Sequence, residues 1–108
     1  ICRGFQLISD YFKSELIKKN GHVKVNHVLN LYKSKFTKKK ILKVNSFHNY
    51  CITNLPKKFN VISKSSDETI EIAESISKNI LCFMFHPERK NPSQIQINNY
   101  IKFFFRIK

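Results

Sequence analysis

Cys2, His86 and Glu88 are the residues whose types and settings could make and break a covalent bond. Cys2 stands at the mouth of a helix and is followed by Arg3-Gly4. A nucleophile on a sharp strand-to-helix turn is held clear of its sheet and exposed. Such a turn needs a small residue close by, and Gly4 supplies it. The helix N-terminus offers partial positive charge that lowers a thiol pKa. The backbone N–H of Arg3 would point at a developing oxyanion. Taken alone, the pattern fits a buried cysteine beside an incidental glycine more readily.

His86-Pro87-Glu88 follows the apolar run Ile80 to Phe85. In extended chain, residues two apart face the same way. Pro87 biases His86 towards an extended conformation. The Glu88 carboxylate can then reach the His86 ring and fix its tautomer, leaving the other nitrogen for a nucleophile. The end of a central strand is also where an open α/β sheet places its ligand. Against this stands a surface His-Glu pair on a loop, and the residues alone leave the two readings about even.

A third constellation is Asn45-Ser46-Phe47-His48. Polar groups among apolar ones just past a strand could line a pocket. His48 is a rival base, though alone it reads as a hydrogen-bonded loop histidine. His22 and His27 receive no catalytic role. Cys51 and Cys82 read as small core residues. The four histidines show no paired spacing, so no metal site is expected, and no cofactor.

The elements that must position these groups follow from periodicity. Phe5, Ile8, Phe12 and Leu16, with Leu7, Tyr11 and Ile17 beside them on a broad face, predict a helix from residue 3 to about 19, stopped by Asn20-Gly21. His22 to Tyr32 reads as extended, and Lys33 to Lys40 as a loop or weak turn. Ile41 to Val44 predicts a short strand and Leu55-Pro56 a turn. Phe59 to Lys64 and Thr69 to Ala73 read as hairpin partners across Ser65-Ser66-Asp67. Ile80 to Phe85 has the continuous apolar character of a strand buried on both faces. Pro92-Ser93 opens a last helix bearing Ile95, Ile97, Tyr100, Ile101, Phe104 and Phe105. A helix that begins directly after a cysteine suggests that a preceding strand has been cut away. The chain therefore reads as a fragment, residues 1 to 108 being the C-terminal part of a single domain.

Composition excludes several classes. With 42% hydrophobic residues and two glycines, the 108-residue chain is neither disordered nor a linker. No apolar run approaches the roughly 20 residues that span a bilayer, and no signal peptide is visible. Three cysteines without a CxxC pair fit a reducing cytoplasm rather than a disulfide framework. The net charge of +13 could attract nucleic acid or another polyanion. The lysines are scattered, however, and Lys38 to Lys40 is the one tight run, so a solvated basic surface is the preferred reading.

Ile1-Cys2-Arg3-Gly4-Phe5-Gln6 resembles the nucleophile elbow of class I glutamine amidotransferases, and within them the γ-glutamyl-γ-aminobutyrate hydrolase group. Phe83-Met84-Phe85-His86-Pro87-Glu88 is similar to that family's strand ending in His-Pro-Glu. Val44 to His48 resembles its segment before the substrate pocket, and His27-Val28 a further landmark. The resemblance implies a flavodoxin-like three-layer α/β sandwich whose N-terminal strands are missing. It implies attack by Cys2 on a γ-glutamyl amide, with His86 as base and then acid and Glu88 orienting it. A thioester forms, the amine or ammonia leaves, and water releases glutamate. Gln6 matches a position that contacts the glutamyl group, and Ser46, Phe47 and His48 match pocket residues. The family's glycine two residues before the cysteine lies outside the sequence, as does the loop completing its oxyanion hole. Loss of one oxyanion donor costs roughly 10²- to 10³-fold in rate, and the missing strands would leave apolar faces and ladder edges uncovered, so the chain alone is expected to fold poorly and be nearly inactive. Two alternatives remain: a glutaminase subunit delivering ammonia to a synthetase partner, and a non-catalytic basic module that holds polyanions.

Overall fold

A computed structural model describes residues 1–32 and 41–106. In chain order the elements are α1 (Arg3–Tyr11), β1 (Leu16–Lys18), β2 (Val23–Leu31), β3 (Ile41–Phe47), β4 (Tyr50–Ile52), β5 (Asn60–Lys64), β6 (Ile70–Ser75), β7 (Ile80–Phe83) and α2 (Gln94–Phe105). The expected loop from Lys33 to Lys40 lies outside the described residues.

The helix expected to run to residue 19 stops early. Lys13 adopts a left-handed φ of 61°. Its N–H bonds to the Asp10 carbonyl, and that of Ser14 to the Ser9 carbonyl, the back-bonding that closes a helix. Leu16 and Ile17 fit a helical stripe in sequence, but they form β1, paired antiparallel with β4 so that Ile17 faces Cys51. Tertiary pairing outweighs local periodicity here. Asn20-Gly21 turns the chain from β1 into β2, with Gly21 at a φ of 90° that glycine adopts without strain.

The remaining strands form one sheet in the order β3-β2-β5-β6-β7, and every pairing in it is antiparallel. The β5–β6 hairpin forms as its alternation predicts. A helix covers each face. On one side Leu29, Leu42, Ile72, Phe83 and Phe85 pack with Ile97 and Tyr100 of α2. On the other, Ile70, Cys82 and Met84 pack with Phe5 of α1. Alternate residues from Cys82 to Phe85 thus enter opposite cores, as the two-residue period of an extended chain requires. Each such large apolar side chain contributes about 1.5–3 kcal/mol, which pins the segment leading to His86. The layering is helix, sheet, helix, the α/β sandwich expected. No described helix is long and apolar enough to cross a membrane.

Candidate active site

Cys2 caps α1 with φ 45° and ψ −100°. A side chain in such a conformation strains the backbone by about 1–3 kcal/mol. The surroundings hold it there. The Cys2 N–H donates to the Phe83 carbonyl at 2.6 Å, the Cys2 carbonyl accepts from Gln6 N–H at 3.0 Å, and the Ile1 carbonyl accepts from Gly4 N–H at 2.8 Å. No atom lies within 4 Å of where a Cβ on Gly4 would stand, so crowding at that point does not explain the glycine.

The resting thiol differs from expectation. Burial pushes its pKa above the ordinary value, and the backbone N–H of Arg3 and the charge of Arg89 offset this in part. The helix terminus therefore does not by itself yield a thiolate, and a base must remove the proton.

His86 and Glu88 meet as their spacing predicts. His86 Nδ1 stands 2.9 Å from Glu88 Oε2 and 3.2 Å from Oε1. Against the upward push of burial, the His86 hydrogen bond holds the Glu88 carboxyl below its ordinary value. An ionised Glu88 fixes the proton on Nδ1 and leaves the Nε2 lone pair available. The His86 backbone is clamped by two asparagines. Its N–H donates to Asn45 Oδ1 at 2.9 Å, and its carbonyl accepts from Asn45 Nδ2 at 2.9 Å and Asn91 Nδ2 at 3.0 Å. Asn91 Oδ1 in turn accepts the Asn45 N–H at 2.7 Å.

Cys2 joins this pair through β7, because the Phe83 carbonyl it bonds lies three residues before His86. Among the described residues no hydrogen bond links the Cys2 thiol directly to the His86 ring. The Phe47 ring packs edge-on against His86 with centroids 5.9 Å apart, and Arg89 lies 4.5 Å above the Phe47 ring. The sequence around Arg89 does not signal this packing, which depends on Phe47, forty-two residues earlier.

The other matched pocket residues turn inwards. The Ser46 hydroxyl, fully buried, donates to the His22 carbonyl at 2.6 Å. His48 is buried, with Nδ1 at 3.0 Å from the Tyr50 carbonyl and Nε2 at 3.3 Å from Glu71 Oε1. Gln6 reaches the Tyr50 carbonyl at 3.4 Å and Met84 Sδ at 3.8 Å. The structure thus gathers Phe47, His86, Glu88 and Arg89 at a mouth beyond the end of β7, ties the Cys2 backbone to the same strand, and engages the side chains of Gln6, Ser46 and His48 in the interior.

Behind the mouth lies a cluster of titratable groups that spacing did not predict. His22, His27, His48, Asp67 and Glu71 converge from β2, β6 and the loops beside them, with the thiol of Cys51 3.7 Å from His48. Burial holds the thiols of Cys51 and Cys82 up at about 11, which fits their reading as inert core residues.

A family model described as glutamine amidotransferase class-I matches residues 1–106. The chain is 35% identical over 91 residues to a γ-glutamyl-CDP-amidate hydrolase of Campylobacter jejuni, a match that covers 84% of this chain and 42% of that protein. A solved structure from Thermoplasma acidophilum, of a protein assigned as one of the subunits of a GMP synthase, superposes with a TM-score of 0.82 at 22% identity. That alignment covers 97% of this chain and 55% of the solved one. The chain spans about half the length of these proteins.

Proposed function

From the premise that the chain belongs to the class I glutamine amidotransferase family, we propose that residues 1–108 are the C-terminal part of a single domain that hydrolyses a γ-glutamyl amide. The observation that carries this reading is the strained Cys2 elbow, hydrogen-bonded to the strand that leads to the His86–Glu88 pair. Nε2 of His86 takes the thiol proton as Cys2 Sγ attacks the side-chain carbonyl. The Arg3 N–H donates to the oxyanion as it forms. Collapse of the tetrahedral species breaks the C–N bond, and His86 returns the proton to the departing nitrogen. Water, deprotonated by the same imidazole, then cleaves the thioester and frees glutamate and the thiol. Glu88 stabilises the imidazolium in both halves. Asn45 and Asn91 are positioning residues that hold the His86 backbone.

The acyl group is the better supported half of the substrate. The Campylobacter relative acts on a γ-glutamyl amidate of a cytidine diphosphate, and the positive Arg89 at this mouth suits an anionic leaving group. A second reading draws on the GMP synthase component that shares the fold: the nitrogen departs as ammonia for a synthetase partner. The three free cysteines support a reducing, cytoplasmic setting. The test is turnover of glutamine and of γ-glutamyl amides by the full natural protein that carries these residues, with and without a synthetase. A Cys2→Ala variant that keeps wild-type turnover would rule the reading out.

A further inference from the structure

Behind the mouth the ring nitrogens of His22, His27 and His48 and the Glu71 carboxylate converge on one another. His22 Nε2 stands 2.6 Å from Asp67 Oδ2. Asp67 Oδ1 accepts from the Ser65 and Thr69 hydroxyls at 2.6 and 2.8 Å, so the Asp67 carboxylate stands as an acceptor, His22 Nε2 donates to it and Nδ1 points inwards. His48 Nδ1 donates to the Tyr50 carbonyl, which can only accept, so His48 Nε2 also points inwards. Both inward nitrogens face Glu71 Oε1, at 3.6 Å and 3.3 Å. His27 Nε2 lies 3.1 Å from His22 Nδ1. Glu71 has no exposed surface, and its Oε2 is buried without a hydrogen-bond partner. Acceptors crowded in this way call for a cation among them.

We propose that His22 Nδ1, His27 Nε2 and the Glu71 carboxylate bind a divalent transition metal, with His48 Nε2 completing the set. Donors roughly 2.1 Å from a tetrahedral zinc ion stand roughly 3.4 Å from one another. The three observed separations, 3.1, 3.3 and 3.6 Å, bracket that value. Imidazole-rich donors select zinc or a similar borderline ion over magnesium or calcium. Asp67 and the Tyr50 carbonyl, each accepting from the outer nitrogen of a histidine, are the outer partners that orient metal-ligating imidazoles. Cys51 stays a thiol beside the site. His27 is only half-buried, which gives an ion a way in.

The backbone supplies an independent argument. Residues five apart in a regular strand face opposite sides. The register of β2 against β3 slips between Val23 and Val25, and Lys24 takes a φ of 53°. That bulge turns His22 to the His27 side, the re-aiming that bulges near functional sites perform.

The test uses the full natural protein, without a histidine tag, stripped with chelator and titrated with zinc and with cobalt(II). One zinc per chain is expected, with the visible absorption of a four-coordinate cobalt site. Asp67→Asn should weaken zinc roughly 10- to 100-fold, and Glu71→Gln and His27→Ala by more. Should Glu71→Gln fail to fold, His27→Ala decides, since that ring is partly exposed and outside both cores. Absence of zinc binding at micromolar metal, or the same affinity in His27→Ala as in the wild type, overturns the proposal and leaves protons as the cations of the cluster.

Discussion

The mouth at the end of β7 and the cluster behind it are built from the same residue types and do opposite things with them. At the mouth, one histidine meets one half-exposed glutamate, Glu88, and keeps a second nitrogen uncommitted. In the cluster, Glu71 is shared between two histidines and has no exposed surface, while Asp67 takes the outer nitrogen of one of them. A carboxylate that pairs with a single ring in solvent orients it. A carboxylate shared among several buried rings becomes structural, because removing it strands charge or lone pairs in a low dielectric. Distance from water, more than residue type, separates chemistry from architecture in this fold.

The contrast breaks most sharply at Cys2 and His86. Cys2→Ala and His86→Ala are expected to lower kcat by at least about 10³-fold while the thermal midpoint holds or rises, read by steady-state kinetics and calorimetry on one preparation. Glu71→Ala should do the reverse, costing about 3–5 kcal/mol in urea unfolding with kcat reduced only in proportion to the folded fraction. Asn45→Ala lies between. It removes hydrogen bonds on both sides of the His86 peptide, each worth about 1 kcal/mol, and should lower kcat more than it changes KM. The smallest effect is a pH dependence at Glu88. Its pKa is depressed on folding, so its contribution is complete above the unfolded value and is lost as pH falls through the lower folded value. Because Glu88 is 53% exposed, that contribution is that of a surface pair, about 0–1 kcal/mol. Glu88→Gln should remove this acid-side loss from melting curves taken against pH.

What could be read from the sequence follows the range of the interactions. The Ile80 to Phe85 run, the β5–β6 hairpin and α2 are legible because short-range alternation and Pro92-Ser93 specify them without help from elsewhere. The His86–Glu88 contact is legible because Pro87 fixes two neighbours. β1 is not, since Leu16 and Ile17 satisfy a helical stripe equally well and only β4, more than thirty residues away, chooses between the patterns. Nor is the cluster, whose members come from separate segments and meet only after the bulge at Lys24 re-aims His22. The pocket reading of Ser46 and His48 meets the same limit. Their residue types suit a substrate, but partners distant in sequence already engage them.

The φ of 45° at Cys2 bears on how this position can change over generations. Glycine alone is at ease in that conformation, so Cys2→Gly should fold more tightly than the wild type and turn nothing over. Selection for yield and selection for turnover therefore pull apart at a single codon. A lineage released from the need for activity would be expected to lose the sulfur there first.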